Sequence, residues 1–372
     1  MDVKAAALVF FLVLVGATPS CKVAESQTLP KIRLGNVPWQ GWSSLDVALE
    51  KGFFAEEGVD VEIVQFGVGG DPKFIEAIAN GELDGGFYIQ GALLNNALEK
   101  GQPITYLGET DWSYGGDQIV VRPPLQSSID AIQSKQRTVG AYSLTSTSLL
   151  LLDLYFRDKS RHSWSFSVAD VSVKERLAQD LVTSFKSGED PVSLNFDPVV
   201  QDQVVAGGEV VATSATYPGI ISEGLMVNSD VYKRTNKDLY SAVLRGWIRG
   251  MEYMYGRDHK LNALNLARAD EVIEIMQRRT FLADGTSKEA IMSYLGNIRI
   301  FNRARIEAAN FDEREDVKLI DYPTKGVQPL RSHLRELSDF IRAQNPAAVE
   351  QSSKVTIDLG PLRRALDDLK GR

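Results

Sequence analysis

The chain has 372 residues, of which 44% are hydrophobic and 24% charged, with 30 glycines and 14 prolines. Those proportions exclude a disordered, collagen-like or disulfide-stapled polypeptide, and the length favours two lobes over one core. The net charge of −8, from 41 basic and 49 acidic residues, argues against a nucleic-acid partner, and the one cysteine leaves no intrachain disulfide and no CxxC site.

Ala5 to Gly16 (AAALVFFLVLVG) is an apolar run of about a dozen residues, short of the roughly 20 needed to span a bilayer, so residues 1–21 read as an export signal. The only cysteine, Cys21, follows that run at the place where a bacterial lipoprotein signal carries its lipidated residue. Ser20 suits that reading, Thr18 and Pro19 depart from it, and Val15-Gly16-Ala17 offers ordinary signal cleavage as the alternative. Residues 22–30 form a polar tether.

From Lys31 the pattern alternates strands and helices. Lys31 to Val37 and Val59 to Phe66 alternate like strands, and each is followed by a helical pattern: Ser43 to Ala55, and a helix opened by Asp71-Pro72. Phe87 to Gln90, a helix over Ala92 to Lys100 ended by Gly101, and a strand over Pro103 to Gly108 continue the series. After the break at Pro123-Pro124 the same grammar resumes. A strand at Arg137 to Tyr142 leads through the hydroxyl-rich turn Ser143 to Ser148 into an apolar helix, and further runs extend to Thr213. Ile220 to Asn228 reads as a strand returning to the first lobe. Beyond Lys237 the texture turns to amphipathic helices, over Asp238 to Tyr255, Lys260 to Arg279, Ser287 to Leu295, Ser332 to Ala343 and Pro361 to Lys370. The fold class is α/β, with parallel-rich sheets covered by helices. Lobe 1 is expected over 31–121 and 222–372, including the C-terminal helices, and lobe 2 over 122–221.

No catalytic or cofactor motif is present. His162, His259 and His333 have no metal-ligand spacing, GxSxG and SxxK are absent, and Gly67-Val68-Gly69-Gly70 is not followed by GK[ST]. The chain is therefore read as a non-enzyme without metal or cofactor. The informative segments are turns at strand ends, where open α/β sheets hold ligands. Trp39, Gln40, Trp42 and Ser43 lie in the first, Tyr88 and Gln90 in the second, and Asp111, Trp112 and Ser113 in the third. Ser143, Thr145 and Ser146 open a helix in the second lobe, and Asn195, Asp197 and Tyr217 follow later runs. Together these fifteen residues are the expected ligand site.

Several stretches resemble the substrate-binding components of ABC importers of the nitrate, sulfonate and taurine type, and those resembling thiamine-precursor binders. They are Lys51 to Glu62 (KGFFAEEGVDVE), Ala79 to Asp84, Gly115 to Val120, Thr138-Val139-Gly140, Phe196-Asp197-Pro198 and Tyr217-Pro218-Gly219. The resemblance implies a two-lobed type II periplasmic-binding-protein fold, its sheets joined by two crossover strands. It also implies a monomer outside the cytoplasmic membrane, probing for a small-molecule ligand and docking on ABC permease subunits, with the membrane touched only through a lipid anchor. The turns carry Asp111, Asp117, Asp197 and Glu223 and no evident Arg or Lys, which leans toward a neutral or cationic ligand over an anion, although the Ser143 to Ser148 helix start suits an anion. Two other readings stand beside the importer: a sensory module for a signalling partner, and an enzyme akin to yeast-type pyrimidine synthases, whose cysteine-rich run this chain lacks.

Overall fold

A computed structural model describes residues 28–67, 70–260, 263–282, 285–311, 330–345 and 354–372. The export signal, Cys21 and the tether as far as residue 27 lie outside them.

The described residues contain twelve strands: β1 (Lys31–Asn36), β2 (Asp60–Gln65), β3 (Gly85–Ile89), β4 (Ile104–Ser113), β5 (Asp117–Val121), β6 (Val139–Ala141), β7 (Val173–Glu175), β8 (Val192–Phe196), β9 (Glu209–Thr213), β10 (Ser222–Asn228), β11 (Ile298–Ile300) and β12 (Val355–Ile357). They form two sheets. The larger has the order β11-β4-β10-β3-β1-β2 with β12 also on β4, and the smaller has the order β7-β6-β8-β5-β9. Each sheet has three parallel strands, β2-β1-β3 and β7-β6-β8, followed by one antiparallel strand, β10 in the larger and β5 in the smaller. The chain therefore passes between sheets twice, at 114–116 and at 214–221. Asp117–Val121, placed with the first lobe by sequence, pairs in the smaller sheet with β8 and β9.

Local chemistry sets the ends of these units. The helix Asp71–Ala79 starts with proline in its first turn, where the missing N–H costs nothing, and Gln90–Lys100 stops at Gly101, which adopts φ 69°. Glu56 and Glu57, inside the KGFFAEEG stretch, are structural. The nearly buried Glu57 receives Arg245 at 2.6 Å, Arg249 at 2.9 Å and Arg372 at 2.9 Å, so the helix Lys237–Tyr255 and the C-terminus are tied to the first lobe.

The C-terminal region departs most from expectation. The helix foreseen over Lys260 to Arg279 begins only at Ala269 and loosens into a π turn at Met276–Thr280. Before it the chain folds back, with the Asn265 N–H donating to Met254 O and both His259 ring nitrogens on the carbonyls of Gly256 and Ile300. The helices Leu125–Gln133 and Arg303–Phe311 and the strands β11 and β12 carry too few residues of clear periodicity to be foreseen.

Strand β4 depends on this region. One edge pairs with β10; the other is shared by β12, along Ile104 to Tyr106, and β11, along Asp111 to Ser113. Asn310 fills part of the gap between them, its Oδ1 accepting the Glu109 N–H at 2.7 Å and its Nδ2 donating to Glu109 O at 2.9 Å. A buried backbone amide left without a partner costs roughly 1–3 kcal/mol. Asn310→Leu should lower the unfolding free energy by about that amount in a urea titration, with little change in m-value.

Candidate functional site

A cleft of about 70 Å³ lies between the sheets, several times the space one water needs. It is built at the carboxyl ends of parallel strands. Val37, Pro38, Trp39 and Trp42 come from the end of β1, Gly67 and Asp71 from beyond β2, and Tyr88 and Ile89 from β3. The second lobe supplies Tyr142 beyond β6 and Phe196, Pro198 and Val199 from the end of β8. The crossing strands supply Asp117 and Glu223, and Phe281 arrives from the C-terminal region.

The rings form a continuous frame. Trp42 lies 5.2 Å from Tyr88, Trp39 lies 6.4 Å from Trp42, and Trp39 meets Phe196 edge-on at 6.2 Å across the lobes. Phe196 in turn meets Tyr142 edge-on at 5.1 Å. Two tyrosine–carboxylate couples face the cavity, Tyr88 Oη donating to Asp71 Oδ1 and Tyr142 Oη donating to Asp117 Oδ1, each at 2.6 Å. Trp39 Nε1 donates to Glu223 Oε2 at 3.1 Å, while the indole N–H of Trp42 is buried without a hydrogen-bond partner.

The site is acidic and water-poor. Burial pushes the Asp117 carboxyl up to about 6 and raises that of Asp71. Glu223 and Asp111 face each other across β10 and β4. Burial and the neighbouring Asp111 raise Glu223 well above the usual carboxylate range, and burial raises Asp111 as well, so the pair holds a proton more readily than either carboxyl would alone in water. Among the described residues lining the cleft there is no Lys, Arg or His. Arg176 stands at the mouth with Asp71 and Tyr142, but its guanidinium is taken by Asp190 and Glu189. Among the described residues no group of three His, Cys, Asp or Glu is placed to hold a metal ion.

Of the residues named from sequence, Trp39, Trp42 and Tyr88 line the cleft. Gln40 is buried behind them with both amide atoms unpartnered, and Gln90 accepts from Ser222 at 3.1 Å. Ser43 Oγ bonds back to Gln40 O at 2.7 Å. Asp111, Trp112 and Ser113 belong to β4 and not to a loop. Asp111 abuts Glu223, Trp112 turns to Glu109 and Phe301, and Ser113 pairs with Ser214 at the crossing. The start of the helix Ser146–Arg157 meets the other lobe, with Ser146 N donating to Asn95 Oδ1 at 2.7 Å and Ser146 Oγ donating to Gly91 O. Ser143 Oγ accepts the Thr145 N–H, and Thr145 Oγ1 lies 3.5 Å from Ser148 Oγ. Asn195 is spent on Ala178 and Gln203 inside lobe 2, and Tyr217 on Asp158. Asp197 joins the lobes, accepting from Gln118 at 3.2 Å and from Asn297 at 2.6 Å.

Residues 42–110 match the family model described as NMT1/THI5 like. No curated protein sequence matches the chain. Among solved structures it is similar to the periplasmic nitrate-binding protein NrtA from Synechocystis PCC 6803, at 15% identity over 92% of this chain and 90% of that one, TM-score 0.61. It is also similar to the alkanesulfonate-binding protein SsuA from Xanthomonas axonopodis pv. citri bound to MOPS, at 14% identity over 88% and 98%, TM-score 0.59. A Candida albicans gene product described as having the generic periplasmic binding protein fold matches at 13% identity over 89% and 96%, TM-score 0.57. The chain has the periplasmic-binding-protein fold. The first crossing segment is held at three positions: Asn297 O accepts the N–H groups of Tyr114 and Gly116, and Ser214 Oγ, at the start of the second crossing, accepts that of Gly115.

Burial also governs the pH response of the periplasmic-binding-protein frame. Glu109 is pushed up to about 8, by burial first and Asp111 second, against an ordinary value of 4.5. A carboxyl that holds its proton more tightly folded than unfolded contributes stability below pH 4.5, and that contribution is lost as pH rises toward about 8. His333, pushed down to about 4 by burial, acts the opposite way, but only below its ordinary value of 6.5. The ligand-free protein should therefore melt at a lower temperature at pH 8 than at pH 6.5 in differential scanning fluorimetry, and Glu109→Gln should flatten that dependence.

Proposed function

We propose that this protein is the extracytoplasmic substrate-binding component of an ABC importer. It captures a small polar organic molecule between its lobes and hands it to a membrane permease, without chemistry of its own. One observation carries the reading: a cavity framed by both lobes at strand ends, in a fold whose similar solved structures include nitrate- and sulfonate-binding proteins. The NMT1/THI5-like match adds pyrimidine-type ligands to the candidates. On this reading the lobe boundaries follow the two crossings, residues 1–21 direct export, and Cys21 anchors the mature chain by lipid.

Lobe closure is tested at Gly91. A Cβ placed there would stand 1.8 Å from Thr147 Oγ1 of the other lobe, too close for the closed arrangement. Alanine suits the helix as well as glycine or better. Gly91→Ala should weaken ligand binding by roughly tenfold or more in a titration of any hit from the screen below, because the arrangement in which the lobes touch here becomes rarer.

The broad test is a thermal-shift screen of sulfonates, nitrate, amines and pyrimidines, with small-angle scattering to detect compaction of the chain by any hit. Trp42→Phe should weaken that hit without unfolding the protein. A screen with no hit and no compaction overturns the receptor reading. Cys21→Ser should move the protein from the membrane to the soluble fraction; unchanged partitioning would favour simple signal cleavage.

A further inference from the structure

Resting on the receptor reading, we propose that the ligand of this cleft is a small organic cation, its charged nitrogen between the carboxyls of Glu223 and Asp117 and its alkyl or ring portion against Trp39, Trp42, Tyr88 and Tyr142.

The geometry points there from independent directions. The acidic groups come from separate elements and all line the cavity: Asp71 from the start of a helix, Asp117 from β5 and Glu223 from β10. No basic side chain among the described lining residues offsets them. Arg299 on the neighbouring strand β11 is engaged by the carbonyls of Gly296 and Ile298 and by the Tyr114 ring, 3.8 Å away. The tyrosines serve the carboxylates as donors, and both residues line the cavity. A cation placed among indole and phenol rings is attracted to their electron-rich faces, more strongly when desolvated, and recognition of ammonium groups by aromatic cages works in this way. Anions meet the opposite situation. The helix start at Ser146, the other candidate for negative charge, is already engaged by Asn95.

The arrangement also links binding to protons. The groups facing Glu223 are Asp111 on β4, Asp117 on β5, Tyr88 on β3 and the Trp39 N–H, none of them positive. In the empty protein a proton quiets the Glu223–Asp111 pair, and a fixed positive charge beside Glu223 makes that proton dispensable. Binding then releases it, so affinity rises with pH.

Two matched pairs of probes test this by isothermal titration calorimetry: choline against its neutral isostere 3,3-dimethylbutan-1-ol, and 4-(hydroxymethyl)-1-methylpyridinium against 4-methylbenzyl alcohol. Nitrate and ethanesulfonate serve as anions. The expected result is that a cation binds at least about tenfold more tightly than its isostere. Proton release should appear as a difference in heat between buffers of unlike ionisation enthalpy at pH 7, and affinity should fall about tenfold or more in Glu223→Gln. Asp117→Asn repeats the test if the first variant does not fold. Isosteres or anions binding as well as the cations, or no cation registering at millimolar concentration, overturns the proposal. A neutral or anionic hit from the broad screen would then leave the receptor reading standing, whereas the absence of any hit would remove both.

Discussion

The larger sheet of this protein is interrupted after β4 and completed by β10 and later strands, and that interruption constrains nearly everything else. Because the continuous run β5 to β9 builds the smaller sheet before β10 returns to lie between β3 and β4, the chain must cross between lobes twice, and the crossings must be the place where the lobes meet. Strands that pass between two covered sheets have little access to water. The polar side chains they carry, Asp111, Asp117 and Glu223, are therefore buried at the base of the cleft, where ionisation is unfavourable. The acidic character of the site follows from the topology and these residues together.

The same crossings account for the C-terminal third. A long strand such as β4 needs partners on both edges, and the chain before Asp230 supplies one edge only. Residues far along the sequence complete the other: β11 and β12 pair with separate halves of β4, and Asn310 satisfies the backbone between them. Asn297, just before β11, holds the first crossing and also Asp197 of the second lobe. The helix Leu330–Gln344 packs on a helix from each lobe, Gln90–Lys100 and Ser146–Arg157. The C-terminal region thus braces the first crossing and both lobes as well as covering the first sheet.

The contacts that join the lobes and the lining of the cleft use mostly different side chains. Asn95 with Ser146, Gly91 with Thr147 and Asn297 with Asp197 join the lobes by direct bonds or close packing. The set lining the cleft is aromatic and acidic. Trp39 belongs to both, touching Phe196 across the gap while its N–H holds Glu223. Such a division lets the energy of closing be set apart from the energy of recognition, and a ligand shifts the lobes only by its preference for the closed form.

Sequence alone determined what local chemistry can encode. Alternating apolar residues marked β1 and β2, proline and glycine marked helix limits at Pro72 and Gly101, and the turn after β1 yielded Trp39 and Trp42 because an aromatic-rich segment at a strand end is visible in a single stretch. Tertiary structure alone decided which polar groups face the cavity. Asp197, Asn195 and Tyr217 look like ligand contacts in sequence, yet neighbours distant in the chain consume their hydrogen bonds. Asp71 and Tyr142, each adjacent to or within a segment read from sequence, become lining residues only because strands from two halves converge on them. Phe281 had no local signal at all. The physical reason is one of range: periodicity and capping act within a few residues, whereas burial, proton affinity and the choice of hydrogen-bond partner depend on what the fold brings alongside.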